Sequence, residues 1–139
     1  MKKISFIFLL LIVFNLHAQN KSTIPEVVKT SFAKIFSNST NVKWGKEDKN
    51  YEADFMQDGK KMSALFDASG KLKETERSIT INELPAKAIP YFNQHYKNVA
   101  IKETAKITKA SGEINFEIGT KGEDILFDAT GNFIKEVKD

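Results

Sequence analysis

One hexapeptide occurs twice in this chain. Leu65-Phe66-Asp67-Ala68-Ser69-Gly70 returns 61 residues later as Leu126-Phe127-Asp128-Ala129-Thr130-Gly131, with one conservative change in six positions. Each copy lies downstream of a proline-led amphipathic stretch and a set of alternating apolar runs, so the duplicated object is a whole α/β unit. A unit of about 60 residues buries a small fraction of its surface and is marginal alone. The two copies are therefore expected to share a sheet or a core.

Met1-Lys2-Lys3 leads into an apolar run, Ile4 to Phe14, broken only by Ser5. The run is shorter than the about 20 residues that a membrane-spanning helix needs. With Ala18 placed before a polar segment, it has the parts of a secretory signal peptide. Residues 1–18 are read as the signal, cleaved after Ala18, and residues 19–23 as a polar leader. The mature protein is then periplasmic or secreted, with no stable membrane anchor. The chain has no cysteine, so neither a lipid on Cys nor a disulfide can hold it. Its stability rests on the core alone.

Lys2 and Lys3 leave with the signal, and the formal charge falls from +3 to +1. The remaining lysines are scattered among Glu and Asp, not gathered into a stripe, which argues against nucleic acid as a partner.

Val28, Phe32, Ile35 and Phe36 recur at helical spacing after Pro25, where a missing N–H does no harm. Val42 and Trp44, then Tyr51, Ala53 and Phe55, then Met62, Ala64 and Phe66 alternate with polar neighbours, the pattern of half-buried strands. Asp58-Gly59 supplies a hairpin turn, and a fourth strand runs from Leu72 to Arg77. Leu84-Pro85 opens a second such unit. Ala88, Ile89, Phe92 and Tyr96 form its helical stripe, with Pro90 forcing a kink or a late start near Ile89. Strands are expected over Val99–Ile107, Glu113–Gly119, Glu123–Asp128 and Phe133–Val137. The fold class is α+β: a tandem repeat of a helix followed by a four-stranded antiparallel meander, with both helices on one side of the sheet. The units span residues 24–81 and 82–139.

This register turns Trp44, Tyr51, Ala53, Phe55, Ala64 and Phe66 toward the helices, together with Ile114, Phe116, Ile118, Ile125 and Phe127. The other face carries Lys43, Glu52, Asp54, Met56, Ser63 and Leu65, then Asn115, Glu117 and Leu126. It is expected to be open and of mixed polarity. Met56, Leu65 and Leu126 would form a small apolar patch there, and Glu52 and Asp54 would set charge complementarity to a partner.

The constellations that could carry chemistry are thin. His95 is the one imidazole outside the signal, and a His near a helix C-terminus ordinarily bonds the terminal carbonyls. With no Cys and one His, the usual zinc ligand sets cannot be built. The two Asp-Ala-Ser/Thr-Gly stretches lack the spaced ligands of a calcium loop, and turn chemistry explains them: Asp and Ser or Thr bond the backbone, and Gly takes positive φ. Glu52 and Asp54, about 6–7 Å apart along one strand, have the spacing of a hydrolase pair, but nearby Lys43 and Lys73 make them cross-strand charge partners. Trp44 belongs to the core. No catalytic residue, metal ligand or cofactor is expected.

The succession Ile24-Pro25, Phe32, Val42-Lys43-Trp44, Tyr51-Glu52-Ala53-Asp54-Phe55, Gly59 and Ala64-Leu65-Phe66-Asp67 with Gly70, then Leu84-Pro85 and Phe127-Asp128 with Gly131, resembles the PepSY-like proteins. These are small secreted proteins of Bacteroidetes that are similar to the beta-lactamase inhibitor protein. The resemblance covers residues 24–139. It implies tandem α/β repeats with helices on one side of an antiparallel sheet, export to the periplasm, and no established catalysis. Two functional readings follow. One is a binding module that engages another periplasmic or extracellular protein, in the manner of an inhibitor, through Glu52, Asp54, Met56, Leu65 and Leu126. The other is a small-ligand or ion-binding envelope stress protein with a pocket between the two repeats.

Overall fold

The computed structural model describes residues 23–138. The signal expected at 1–18, and all of the leader but Thr23, lie outside the described residues.

Helix α1 (Glu26–Ile35) begins at Pro25 and buries Val28 and Phe32. The Phe36 N–H closes its last turn on the Phe32 carbonyl at 2.8 Å. Four strands follow: β1 (Thr40–Glu47), β2 (Asn50–Gln57), β3 (Lys60–Phe66) and β4 (Leu72–Ser78). After a 3-10 turn at Ile81–Glu83 come helix α2 (Ala88–His95) and strands β5 (Glu103–Lys109), β6 (Ile114–Gly119), β7 (Glu123–Asp128) and β8 (Phe133–Lys138). All eight strands form one antiparallel sheet in sequence order. The seam between the halves is itself a ladder, running from Glu74 opposite Lys109 to Ser78 opposite Ala105.

The core is divided in two. Val28, Phe32 and Phe36 pack with Ala53, Phe55, Ala64 and Phe66, and Trp44 and Tyr51 lie against this group. Ala88 and Phe92 pack with Ile118, Ile125 and Phe127. These strand residues all share one side of the sheet, so both helices cover the same face, as the alternation predicts. The Trp44 ring meets Phe32 edge-on at 5.2 Å, which places it against the core.

Several turns follow from side-chain chemistry. Asp58 and Gly59 both have positive φ, 51° and 73°, the two-residue hairpin that Asp-Gly favours. In the doubled motif, Asp67 Oδ1 accepts the N–H groups of Ser69 and Lys71 at 2.9 and 3.1 Å. Asp128 Oδ1 accepts those of Thr130 and Asn132, both at 2.9 Å. These hydrogen bonds hold both carboxyls below the ordinary aspartate range. The repeated motif is therefore a structural turn.

Gly70 has a second constraint besides its φ of +84°: a Cβ there would lie 2.7 Å from Ser31 Oγ and 2.9 Å from the Val27 carbonyl oxygen. The turn packs onto α1 because it has no side chain. Gly112 has a similar φ, +86°, with nothing near its Cβ position. Gly70→Ala is thus expected to cost about 2–3 kcal/mol and Gly112→Ala about 1 kcal/mol, read as urea midpoints. Equal costs would mean that the approach of the turn to α1 is not tight.

Three elements differ from the sequence expectation. Strand β5 starts at Glu103 and not at Val99, beyond the turn at Asn98, which has positive φ (64°). The 3-10 turn was not anticipated, although Thr80 and Glu83 form a capping box, with the Thr80 N–H donating to Glu83 Oε2 at 2.9 Å. Helix α2 begins at Ala88, one residue before the expected late start, and tolerates Pro90 because first-turn N–H groups have no intrahelical partner.

Candidate functional site: the helix-free face of the sheet

Residues directly opposite one another in an antiparallel ladder share a face. One row crosses the sheet through Lys43, Asp54, Ser63, Glu76, Ile107 and Asn115. The row beside it passes through Glu52, Leu65, Glu74 and Lys109. On the other flank, a row joins Ser78, Ala105, Glu117, Leu126 and Lys135, with Asp124 one position further along β7. All of these lie opposite to the helices.

Glu52, Asp54, Met56, Leu65 and Leu126 all fall on this face, as the pattern predicts. Their exposure differs from expectation. Leu126 is 1% exposed, so it cannot serve as a surface contact, and Met56 and Leu65 are half-buried. Of the exposed large hydrophobics, Val27 and Ile35 lie on α1, and Phe133 pairs with the core residue Phe127 on the helix side of the sheet. The apolar patch expected from the pattern is therefore corrected to a face dominated by carboxylates. Lys73, expected as a partner for Glu52 and Asp54, has the opposite parity to Glu74 and lies on the helix side.

Burial raises the pKa of nearly every carboxylate here. Glu52 is pushed up to about 7, first by burial and then by repulsion from Asp54 and Glu47, while the Ser63 hydroxyl opposes the shift. Glu74 and Asp54 are also raised by burial, with Lys109 and Lys43 acting against it. Glu76 and Glu117 are raised most clearly in cause: burial first, then, for Glu117, repulsion from Glu76 and Asp124. Glu76 is 9% and Glu117 1% exposed.

This cluster was only partly visible beforehand. Glu52 and Asp54 were singled out, Glu117 was placed on the face without a role, and Glu74 and Glu76 were not assigned to it. Carrying the alternation across the Gly70 turn into β4 is the step that would have found them.

The described residues contain no group of three or more His, Cys, Asp or Glu able to hold a metal ion. His95 bonds within its own helix, its Nδ1 donating to the Tyr91 carbonyl at 2.9 Å, as expected of a residue near a helix C-terminus. It also stacks on Tyr91 at 4.0 Å, and Tyr91 stacks on Phe133 at 5.0 Å. These rings border an open groove of about 610 Å³ between α2 and β8. The residues at corresponding positions in the first half are Ser31, Ile35 and Leu72, so the column of rings is confined to the second half.

The architecture, two helices on one face of an open eight-stranded antiparallel sheet, defines an α+β protein of the beta-lactamase-inhibitor-like class. The chain belongs to the PepSY-like, beta-lactamase-inhibitor-like family, whose model matches residues 16–73 and again 49–135. It is similar in structure to a protein of Bacteroides eggerthii described as periplasmic, with a TM-score of 0.71 at 16% identity over 84% of this chain and 89% of that one. A protein of Bacteroides uniformis from a family of unknown function gives 0.68 at 20% identity, over 82% and 88% of the two chains. A protein of Bacteroides fragilis described as like the beta-lactamase inhibitor protein gives 0.63 at 22%, over 84% and 86%. No curated protein matches the chain. No helix among the described residues is long and apolar enough to cross a membrane.

Proposed function

We propose that this protein is a non-enzymatic periplasmic binding module, built from two duplicated units at 24–81 and 82–139, that engages another protein through the helix-free face of its sheet. The observation that carries this reading is the run of carboxylates Glu52, Asp54, Glu74 and Glu76 on a face that neither helix covers, with Asp54 exposed and Glu52 half-buried. Ionising such groups is costly unless a partner supplies compensating charge. Accessible contacts come from Glu52, Asp54, Met56 and Leu65. The resemblance to a family of inhibitor-like proteins agrees with a protein partner.

Immobilised protein is expected to capture a periplasmic protein that rebinds once purified. A Glu52→Lys/Leu65→Asp variant is expected to lose at least about tenfold in affinity, since charge reversal on a contact face juxtaposes like or unpaired charges. Leu126→Asp is unsuitable for this purpose, because a charge at a 1% exposed position destabilises the fold. Equal binding by wild type and variant would remove this face as the site. The reading in which a small ligand occupies a pocket between the units has less to draw on, because the seam is a continuous ladder and the open groove lies at α2 and β8.

A further inference from the structure

We infer that the free edge of β8 is a homodimer contact: the strand pairs antiparallel with β8 of a second copy about a two-fold axis at Val137, so that Glu136 of each chain lies opposite Lys138 of the other. The inference goes beyond the binding face and concerns how two such faces are assembled. In the eight-stranded sheet, β1 and β8 are the outer strands. An outer strand presents a row of unpaired N–H and C=O groups, a template for a further strand. β1 has the ordinary protections against this, a register shift between Thr40 and Lys43 and the cations Lys43 and Lys46. β8, in contrast, pairs regularly with β7 from Lys135 to Lys138.

The duplication identifies the groups that β8 leaves open. β8 is the counterpart of β4: the shift between Leu126 and Phe127 that sets Ile134 aside repeats the shift between Leu65 and Phe66 that sets Lys73 aside. On β4 the outer edge is filled by the antiparallel strand β5. The Lys73 carbonyl accepts the Ala110 N–H at 2.7 Å, and the Ile79 N–H donates to the Thr104 carbonyl at 3.0 Å. Residues that direct their backbone groups to one neighbour alternate along an antiparallel strand, so Thr75 and Arg77 face β5. Their counterparts 61 residues on are Glu136 and Lys138. The backbone N–H and C=O groups of these two residues point away from β7.

The side chains select both the partner and the register. Opposite residues of an antiparallel pair share a face and interact directly. A two-fold axis at Lys135, Glu136 or Lys138 sets that charge against its own copy. With the axis at Val137, each Glu136 meets Lys138 of the other chain, and these are the residues whose backbone groups are open. Glu136 lies on the helix side, opposite Ile125, where the Tyr96 hydroxyl donates to its Oε2 at 2.9 Å. That bond holds the carboxylate at the edge, and a carboxylate has acceptor sites to spare for an ammonium group. Lys138 lies opposite Glu123 within its own chain and meets a second carboxylate across the edge. Because opposite residues share a face, the helix-free faces of the two copies join on one side of a continuous sheet. The contact is isologous and closes at two chains.

Sedimentation equilibrium of the mature protein from about 1 μM to about 1 mM spans the affinities that so short a contact can give. The weight-average mass is expected to rise from one chain to two and to stop there. Glu136→Lys sets like charges opposite one another at both pairs and is expected to weaken the dimer at least about tenfold. Glu136→Lys/Lys138→Glu restores opposite signs and is expected to return the affinity to within about threefold of wild type. Hydrogen exchange on the wild-type samples locates the contact: the amides of Glu136 and Lys138 are expected to slow as the concentration rises, with those of β1 unchanged. A single chain at every concentration, a mass that grows past two chains, undiminished association of Glu136→Lys, or protection on β1 in place of β8 would overturn the inference. So would a double variant as weak as the single one.

Discussion

Glu117→Gln is expected to be more stable than wild type at about pH 8, by about 2–4 kcal/mol, and to differ little at about pH 5. Glutamine keeps the shape and cannot ionise, so it behaves like the protonated acid that burial favours at this position. A carboxyl whose pKa rises on folding binds its proton more tightly in the folded state. Its contribution is complete below the unfolded value of 4.5 and is lost as the pH rises through the folded value. Glu52, raised to about 7, loses on the order of 3 kcal/mol over that interval. Glu76 and Glu117 act in the same direction over a window that extends upward from 4.5. Asp67 and Asp128 act oppositely: their hydrogen bonds lower their pKa values, so their contribution is lost only in acid, below the ordinary aspartate value of 3.8. Wild-type stability should therefore be greatest near about pH 5 and fall toward about pH 8, whereas the Gln variant stays flatter. Urea denaturation across this range checks it. A destabilised Gln variant at the alkaline end would show that Glu117 is an ionised group with a partner.

Phe32→Ala is expected to cost about 3–5 kcal/mol, a large share of the about 5–15 kcal/mol that holds a domain together. Phe32 stands among four rings, with Phe55 at 5.0 Å, Trp44 at 5.2 Å, Phe36 at 5.4 Å and Phe66 at 6.3 Å between centroids. Removing it leaves a cavity that none of these rings can fill without leaving its own contacts. The single tryptophan reports on the first half, and far-UV circular dichroism reports on both. Because β4 and β5 join the halves in one ladder, the two signals are expected to change together in wild type and variant alike. A Trp44 transition that precedes the dichroism change would mean that the halves unfold separately.

The alternation in β2 and β3 made sidedness legible, since one face reads Tyr51, Ala53, Phe55 and the other Glu52, Asp54, Met56. It did not reveal depth. Leu126 and Leu65 occupy equivalent places in the doubled motif, yet Leu126 is buried and Leu65 half-buried, because exposure depends on what surrounds a strand and not on its own period. The joining of the halves was expected from size, but the β4–β5 pairing is a long-range contact that no local pattern encodes. The carboxylate cluster was hidden for a related reason. Glu76 lies far in sequence from Glu117 and Asp124 and is brought to their face only when the seam and the β5–β6 hairpin are placed in register.

The most direct test of the acidic face as the functional surface is an amide chemical-shift titration of isotope-labelled protein with the captured periplasmic protein. Shifts concentrated at Glu52, Asp54, Met56 and Leu65 are predicted, with the helices and the Tyr91–Phe133 groove unchanged. Shifts confined to α1, α2 or that groove, or no shifts at all, would contradict the account.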